Sequence, residues 1–294
     1  MGASGPSRLW RAPAKVNLTL HVLGRRADGW HDLDSVVAFA GCGDRLRFEP
    51  GDELSLSIDG PTGSASGPAD DNLVLRAARA LAERAPGVRL GHFHLHKSLP
   101  VAAGLGGGSS DAAAALRALA RENGIAADDP RLWASARAVG ADVPACLAAR
   151  LCVMTGLGER LGPPLDAPPL FAVLANPGAP VPTPAVFAKL GLARGEAGPA
   201  APSLRLEGRL DRSQFLAALR EGRNDMQASA IAIAPVIAQT LEALSLTAGA
   251  RLTRMSGSGA TCFALYDDCH AAGRAARALR DAHPDWWVRP TTLR

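Results

Sequence analysis

Residues 100–111 read Pro-Val-Ala-Ala-Gly-Leu-Gly-Gly-Gly-Ser-Ser-Asp, with four glycines in the five positions from Gly104 to Gly108, and no other run limits the chain so strongly. Upstream, His92–Lys97 alternates polar and apolar residues in the manner of a strand. Downstream, Asp111–Arg121 is rich in alanine and leucine and contains no breaker, which predicts a helix. A glycine-rich turn between a strand and a helix gathers backbone N–H groups and the positive end of the helix dipole in one place, so it attracts phosphate. Without Cβ atoms the main chain can approach a polyphosphate closely, and the hydroxyls of Ser109 and Ser110 can reach phosphate oxygens or a magnesium ion. Two familiar phosphate motifs do not fit. The Walker pattern needs lysine and then Ser or Thr after its last glycine, where this chain has Ser109, and the dinucleotide fingerprint needs glycine at that same position.

Around this loop the chain predicts an α+β protein. Lys15–Val22 alternates, with Lys15, Asn17, Thr19 and His21 on one side and Val16, Leu18, Leu20 and Val22 on the other, which predicts a half-buried strand. A loop is expected over Gly24–Asp34, then strands at Ser35–Phe39, Arg45–Phe48 and Leu54–Ile58, and a surface loop over Gly60–Asp71. Asn72 is placed to cap a helix that ends near Pro86-Gly87, and Asp129-Pro130 opens another that Gly140 closes. Glycine and proline between Gly156 and Pro169 mark a junction, dividing the chain into domains at 1–158 and 159–294. The second half predicts a strand at Phe171–Ala175, a loop at Asn176–Pro184 and a linker at Gly191–Pro202. It continues with helices at Asp211–Glu221 and Pro235–Leu244, a turn at Met255–Ala260, a strand at Thr261–Tyr266 and a last helix at Cys269–Ala282.

With 294 residues, 47% of them apolar, the chain can bury a large core. Its net charge of +4 favours anionic partners, but the positive residues are dispersed and form no run typical of nucleic-acid binding. Five cysteines, at 42, 146, 152, 262 and 269, form no CxxC pair, so a disulfide framework is not expected and a reducing cytoplasm is the natural setting. Met1–Pro13 lacks the apolar stretch of a secretory signal, and Pro6 stands where a myristoylation motif wants Ser or Thr. No apolar run reaches membrane-spanning length, so neither a membrane nor a nucleic acid is an expected partner.

Ala12-Pro13-Ala14-Lys15-Val16-Asn17, the glycine loop and Gly140-Ala141-Asp142-Val143-Pro144 together resemble the GHMP kinase superfamily. Four further segments narrow the likeness to a branch acting on a cytidine diphosphate derivative: Gly24–His31, Asn176-Pro177-Gly178, Pro182–Phe187 and Ser256–Ala260. The likeness spans about Ala12 to Tyr266. It implies an N-terminal domain similar to ribosomal protein S5 domain 2, a C-terminal ferredoxin-like α/β sandwich, and an active site in the cleft between them. It also implies ATP as phosphoryl donor, with Mg2+ arriving on ATP and no separate protein metal site. By the same analogy Asp142 takes the proton of a substrate 2-hydroxyl, and Lys15 pairs with Asp142 and with the phosphates. Pro100, Val101, Ala102, Ala103, Gly104, Leu105, Gly106, Gly107, Gly108, Ser109 and Ser110 line the nucleotide site. Trp30 and Phe187 enclose the cytosine, His31 reads its edge, and Asn17 and Thr183 add polar contacts. Tyrosine is more usual where this chain has Trp30, which keeps a stacking face and lacks the phenolic hydroxyl.

Physical chemistry supports the two central roles independently, since an attacking alcohol must lose its proton and a nearby cation stabilises charge on the phosphoryl oxygens. Other readings stay open: Asp142 as a helix cap, Lys15 as a solvated strand lysine, Phe187 as ordinary core and Trp30 as a loop anchor. His92, His94 and His96 share one strand face and read as the polar side of an antiparallel strand; no cysteine or carboxylate neighbour completes a metal sphere. A GHMP kinase for homoserine or a mevalonate derivative, and a non-catalytic RNA-binding protein, are the competing functions. A monomer or weak homodimer is expected.

Overall fold

A computed structural model describes residues 8–202 and 204–294, so the N-terminal expectations on Met1, Gly2 and Pro6 lie outside the described residues. The strands are β1 (Leu9–Asn17), β2 (His21–Arg25), β3 (His31–Pro50), β4 (Ser55–Asp59), β5 (Gly91–His96), β6 (Cys152–Gly156), β7 (Arg160–Pro164), β8 (Leu170–Asn176), β9 (Leu252–Met255), β10 (Cys262–Tyr266) and β11 (Trp287–Leu293). The helices are α1 (Leu73–Arg84), α2 (Gly107–Glu122), α3 (Pro130–Val139), α4 (Val143–Ala148), α5 (Thr183–Lys189), α6 (Arg212–Glu221), α7 (Gln227–Ile233), α8 (Val236–Ser245) and α9 (Cys269–Ala282). The protein is thus α+β. It forms two compact units, and neither is one continuous stretch.

The first unit contains the residues up to Ala14, Gly43–Val101 and Gly106–Ala149. Its strand β5 runs antiparallel to the end of β3, with Leu46 opposite Leu95, and parallel to β4, with Leu56 opposite Phe93. Helix α1 packs on α2 and α3, and α2 packs on α4. Small side chains make this possible: Ala112–Ala115, Ala118 and Ala120 let the middle of α2 be buried. The caps follow the sequence, with the Asn72 side chain accepting from the Val74 N–H and Asp129 capping α3 ahead of Pro130.

The second unit contains Lys15–Cys42, Ala102–Leu105 and Arg150–Arg294. Here β8, buried except at Phe171, lies between β11 and β10, both antiparallel to it, and β9 pairs outside β10. Helices α8 and α9 pack on these strands through Ile237, Leu244, Ala272, Ala276 and Leu279. The early part of β3 pairs with β2 and with β6.

Several elements differ from the sequence expectation. Lys15–Val22 is two strands broken at residues 18–20, and its polar side is as buried as its apolar one. Thr19 and His21 find partners there, the Thr19 hydroxyl accepting from the Val36 N–H and His21 Nε2 from the Arg223 N–H. Most of the loop expected over Gly24–Asp34 is hairpin, because β3 is one twenty-residue strand starting at His31. The Gly/Pro-rich stretch after Gly156 contains β7, which pairs antiparallel with β6. Within Gly191–Pro202 the backbone bonds the free edge of β2, with Arg25 N–H donating to Glu196 O and Gly198 N–H to Leu23 O. Helices α4, α5 and α7 and strands β9 and β11 were not anticipated; all are short or end in prolines and polar residues that blur periodicity.

Beneath the start of α2 lies a charge cluster that no motif announced. Lys97 Nζ donates to Asp44 Oδ2 at 2.5 Å and to Asp111 Oδ2 at 2.7 Å, and all three side chains are buried. Asp44 Oδ1 also accepts from the N–H groups of Ser98 and Leu99, at 2.5 and 2.8 Å. One ammonium serves two carboxylates. Burial pushes the Asp111 carboxyl up to about 7, with Lys97 holding it down and Asp44 adding to the rise. Burial alone would depress Lys97, but Asp111 and Asp44 outweigh it and hold the ammonium above its ordinary value.

Two outcomes are expected. Lys97→Met strands buried carboxylates and should cost about 3–5 kcal/mol in urea unfolding at neutral pH. Because the folded state holds the Asp111 proton up to about 7 and an unfolded aspartate releases it near 3.8, this group favours folding below that range and loses its contribution as pH rises through 7. Asp111→Asn should therefore flatten the decline in stability between pH 4 and 7; an unchanged slope in urea titrations across that range would contradict the assignment.

Candidate active site

Helix α2 begins at Gly107, four residues earlier than the sequence suggested, so Gly107–Ser110 form its first turn. Gly106 occupies the N-cap position at φ 59, in the left-handed region that favours glycine, and no side chain caps the helix. First-turn N–H groups have no intrahelical acceptor, so an anion can be received there. Ser109 is partly exposed in this turn. Ser110 is buried, and its hydroxyl donates to Pro13 O at 2.7 Å, tying the turn to the residues just before Lys15. Pro100 is half-buried, and Val101 and Ala102 are exposed.

The first unit also holds Asp142, half-buried at the N-cap position of α4. Its side chain makes no capping bond to that helix, so the cap reading does not describe it. Pro144 in the first turn lacks the N–H that would have no partner there, which explains why the chain turns helical just after Asp142.

In the second unit Lys15 is 4% exposed near the end of β1, and its N–H donates to Leu105 O at 2.8 Å. The solvated-lysine reading therefore does not hold. Ala103, Gly104 and Leu105 belong to this unit and are held by the Ser256–Gly259 turn. Ser256 Oγ donates to Gly104 O at 2.9 Å and accepts from Asn17 N–H at 3.1 Å, while Thr261 N–H donates to Ala103 O. Gly104, at φ 74, could carry no side chain, since a Cβ would stand 2.3 Å from Ser256 O. Asn224 supports the turn by donating to Met255 O and Gly257 O, and buried Arg254 donates to Leu18 O, Leu219 O and Gly222 O. Burial lowers Arg254 only to about 10, so it stays charged.

The residues expected to meet a cytosine also lie in this unit. His31 and Phe187 stack, with ring centroids 4.5 Å apart and planes 21° from parallel. Burial, and then the charge of Arg25, lowers the His31 pKa, so the imidazole is neutral at pH 7. Its Nε2 is buried with no hydrogen-bond partner among the described residues. A buried polar atom left unmatched in this way is costly unless a ligand completes it. Trp30 is 64% exposed in the turn before β3, its backbone N–H donating to Asp28 Oδ1. Asn17 is buried and its side-chain amide donates to Ser35 Oγ; Thr183, at the start of α5, shares a 2.7 Å bond with Ser258 Oγ.

Sequence reasoning did not find Asp44, Lys97, Asp111, Asn224 or Arg254. Lys97 and Asp111 flank the glycine run and were open to suspicion, whereas Asp44 lies too far along the chain for any spacing rule. His92, His94 and His96 face β4, which runs parallel to them. They bond Ser55, Ser57 and Asp59, with His96 Nδ1 2.7 Å from Asp59 Oδ1. Among the described residues no group of three or more His, Cys, Asp or Glu is placed to hold a metal ion, and no helix is long and apolar enough to cross a membrane.

Comparison with known proteins identifies the family. The description "GHMP kinases N terminal domain" matches residues 72–150 and "GHMP kinases C terminal" matches residues 206–285. A protein of Methylobacterium radiotolerans named 4-diphosphocytidyl-2-C-methyl-D-erythritol kinase is 59% identical over 97% of this chain and 98% of its own. One of the same name from Xanthobacter autotrophicus is 57% identical over 97% and 98%. A crystal structure of 4-(cytidine 5'-diphospho)-2C-methyl-D-erythritol kinase superposes with a TM-score of 0.77 at 36% identity, covering 97% of this chain and 99% of that one. A homoserine kinase from Cytophaga hutchinsonii shares the fold alone, at 17% identity and a TM-score of 0.69 over 100% of this chain and 96% of its own. By these matches, over nearly its full length, the chain belongs to the GHMP kinase family.

Proposed function

We propose that this protein is the ATP-dependent kinase that phosphorylates the 2-hydroxyl of 4-diphosphocytidyl-2-C-methyl-D-erythritol, a step of non-mevalonate isoprenoid precursor synthesis. The observation that carries the reading is the 59% identity, over 97% of the chain, to a protein of that name. The uncapped glycine-rich first turn of α2 supports the nucleotide half of it, because backbone N–H groups without an intrahelical acceptor can receive an anion. The neutral His31 ring, with a buried and unmatched Nε2 beside Phe187, supports the cytosine half. Neutral imidazole offers one donor and one acceptor, which suits the edge of a base.

In this reading the substrate 2-oxygen forms a bond to the γ-phosphorus of ATP as the bond from that phosphorus to the ADP oxygen breaks. Asp142 receives the hydroxyl proton, Lys15 stabilises charge on the phosphoryl oxygens, and the N–H groups of Gly106–Ser109 hold the phosphates. Pro100–Leu105 complete the nucleotide site, and Trp30, Phe187, Asn17 and Thr183 join His31 around the substrate. Magnesium, bound with the triphosphate, neutralises phosphate charge. The S5-like and ferredoxin-like assignments belong to this proposal, as do a cytoplasmic location and a monomer or weak homodimer.

Three measurements test it. In a coupled ADP-release assay the cytidyl substrate should turn over at least about a hundredfold faster than homoserine or mevalonate, because a site that hydrogen-bonds a base rejects ligands lacking one; preference for either competitor overturns the specificity. Asp142→Asn should lower kcat by about two or more orders of magnitude while the ATP KM stays near wild type, as expected for loss of a base; full turnover would remove Asp142 from that role. His31→Phe keeps the stacked ring and loses the ring nitrogens, so the KM for the cytidyl substrate should rise about tenfold, consistent with one lost hydrogen bond of about 1.5 kcal/mol. An unchanged KM would place the base elsewhere.

A further inference from the structure

Asp142 opens a helix of only six residues, Val143–Ala148, and a helix that short is marginal without outside support. Its far end is unfavourable too. Ala149, which follows, adopts φ 46 and ψ 47, a left-handed conformation that costs a residue with a Cβ about 1–2 kcal/mol. The last-turn carbonyls of such a helix also need partners from outside it.

Arg117 of α2 supplies them. Its Nη1 donates to Cys146 O at 2.8 Å and, more weakly, to Leu147 O at 3.5 Å, while Nη2 donates to Arg11 O of β1 at 2.8 Å. A cation at the C-terminal carbonyls also complements the helix dipole. Burial lowers the guanidinium pKa, yet a guanidinium so altered remains protonated at neutral pH. All three bonds run to backbone carbonyls, so the side chain links main-chain segments without pairing to a carboxylate. It leaves the same helix whose first turn holds Gly107–Ser110.

We propose that Arg117 is a positioning residue for phosphoryl transfer: by clamping the end of α4 and the Arg11 carbonyl to α2, it fixes Asp142 relative to the glycine-rich first turn. The inference rests on Asp142 acting as the base. Its planar fork spans carbonyls on two elements, which a lysine ammonium cannot do with the same geometry.

A double-mutant cycle separates this role from simple stabilisation. Wild type, Arg117→Met, Arg117→Lys, Asp142→Asn and Arg117→Met/Asp142→Asn are compared by steady-state kinetics, with rates normalised to folded protein measured by thermal melting. Arg117→Met should lower kcat about 30- to 100-fold, the scale of a misplacement near 1 Å, with both KM values within about threefold of wild type. Arg117→Lys should recover part of the loss. In the Asp142→Asn background, Arg117→Met should cost less than about threefold, because a group that acts through another loses its effect once that other is gone. If Asp142→Asn lowers kcat and Arg117→Met multiplies the loss in full, the positioning role is overturned while the base assignment stands. If Asp142→Asn leaves kcat unchanged, the base assignment fails and this proposal fails with it. Should Arg117→Met not fold, Arg117→Lys alone and combined with Asp142→Asn takes its place in the cycle, and a folded Arg117→Lys with wild-type kcat overturns the proposal.

Discussion

A single buried ammonium holds the start of α2. Four glycines in five residues make a loop that can fit a triphosphate but resists being ordered, at about 0.5–1 kcal/mol for each glycine and so roughly 2–4 kcal/mol for the run. Lys97 grips Asp44 on one side and Asp111 on the other, and because removing it would strand buried charge at about 3–5 kcal/mol, the cluster fixes the residues that flank those glycines. Asp44 also takes the N–H groups of Ser98 and Leu99, so the chain entering the loop and the helix leaving it are fixed to the same charges. The backbone donors of the first turn can then stay unspent and still be ordered.

The other end of the loop is held by a different device. Gly104 lies against the Ser256–Gly259 turn so closely that no Cβ fits, and Ser256 joins its carbonyl to the N–H of Asn17. Asn224 and Arg254 spend their donors on main-chain carbonyls around that turn. Buried polar side chains in this protein mostly restrain backbone, which explains how Asn17, Thr19, His21 and Ser35 can be buried at little cost.

How much of this was legible in the sequence depended on whether the cause was local. The caps at Asn72 and Asp129 and the alanine-rich body of α2 follow from neighbouring residues, and the structure has them where the sequence expects them. The polar side of Lys15–Val22 was read as exposed because alternation tells which residues share a face and not what covers it. β3 starts inside the loop expected over Gly24–Asp34 and runs without a break through the strands expected at Ser35–Phe39 and Arg45–Phe48. The Lys97 cluster joins residues 53 and 14 positions apart, and no local pattern encodes such a meeting. For the candidate site, the short motifs around Lys15, Asp142, His31 and Phe187 marked the residues; the stacking of His31 on Phe187 and its unmatched nitrogen emerged only from the fold.

These features fit a kinase of the GHMP family. The most direct measurement is phosphorus NMR of the products formed from ATP and 4-diphosphocytidyl-2-C-methyl-D-erythritol. The account predicts one new phosphomonoester on the 2-oxygen for each ADP released, with the cytidine diphosphate resonances retained. ADP released without that resonance, or a phosphate on a different oxygen, would contradict it.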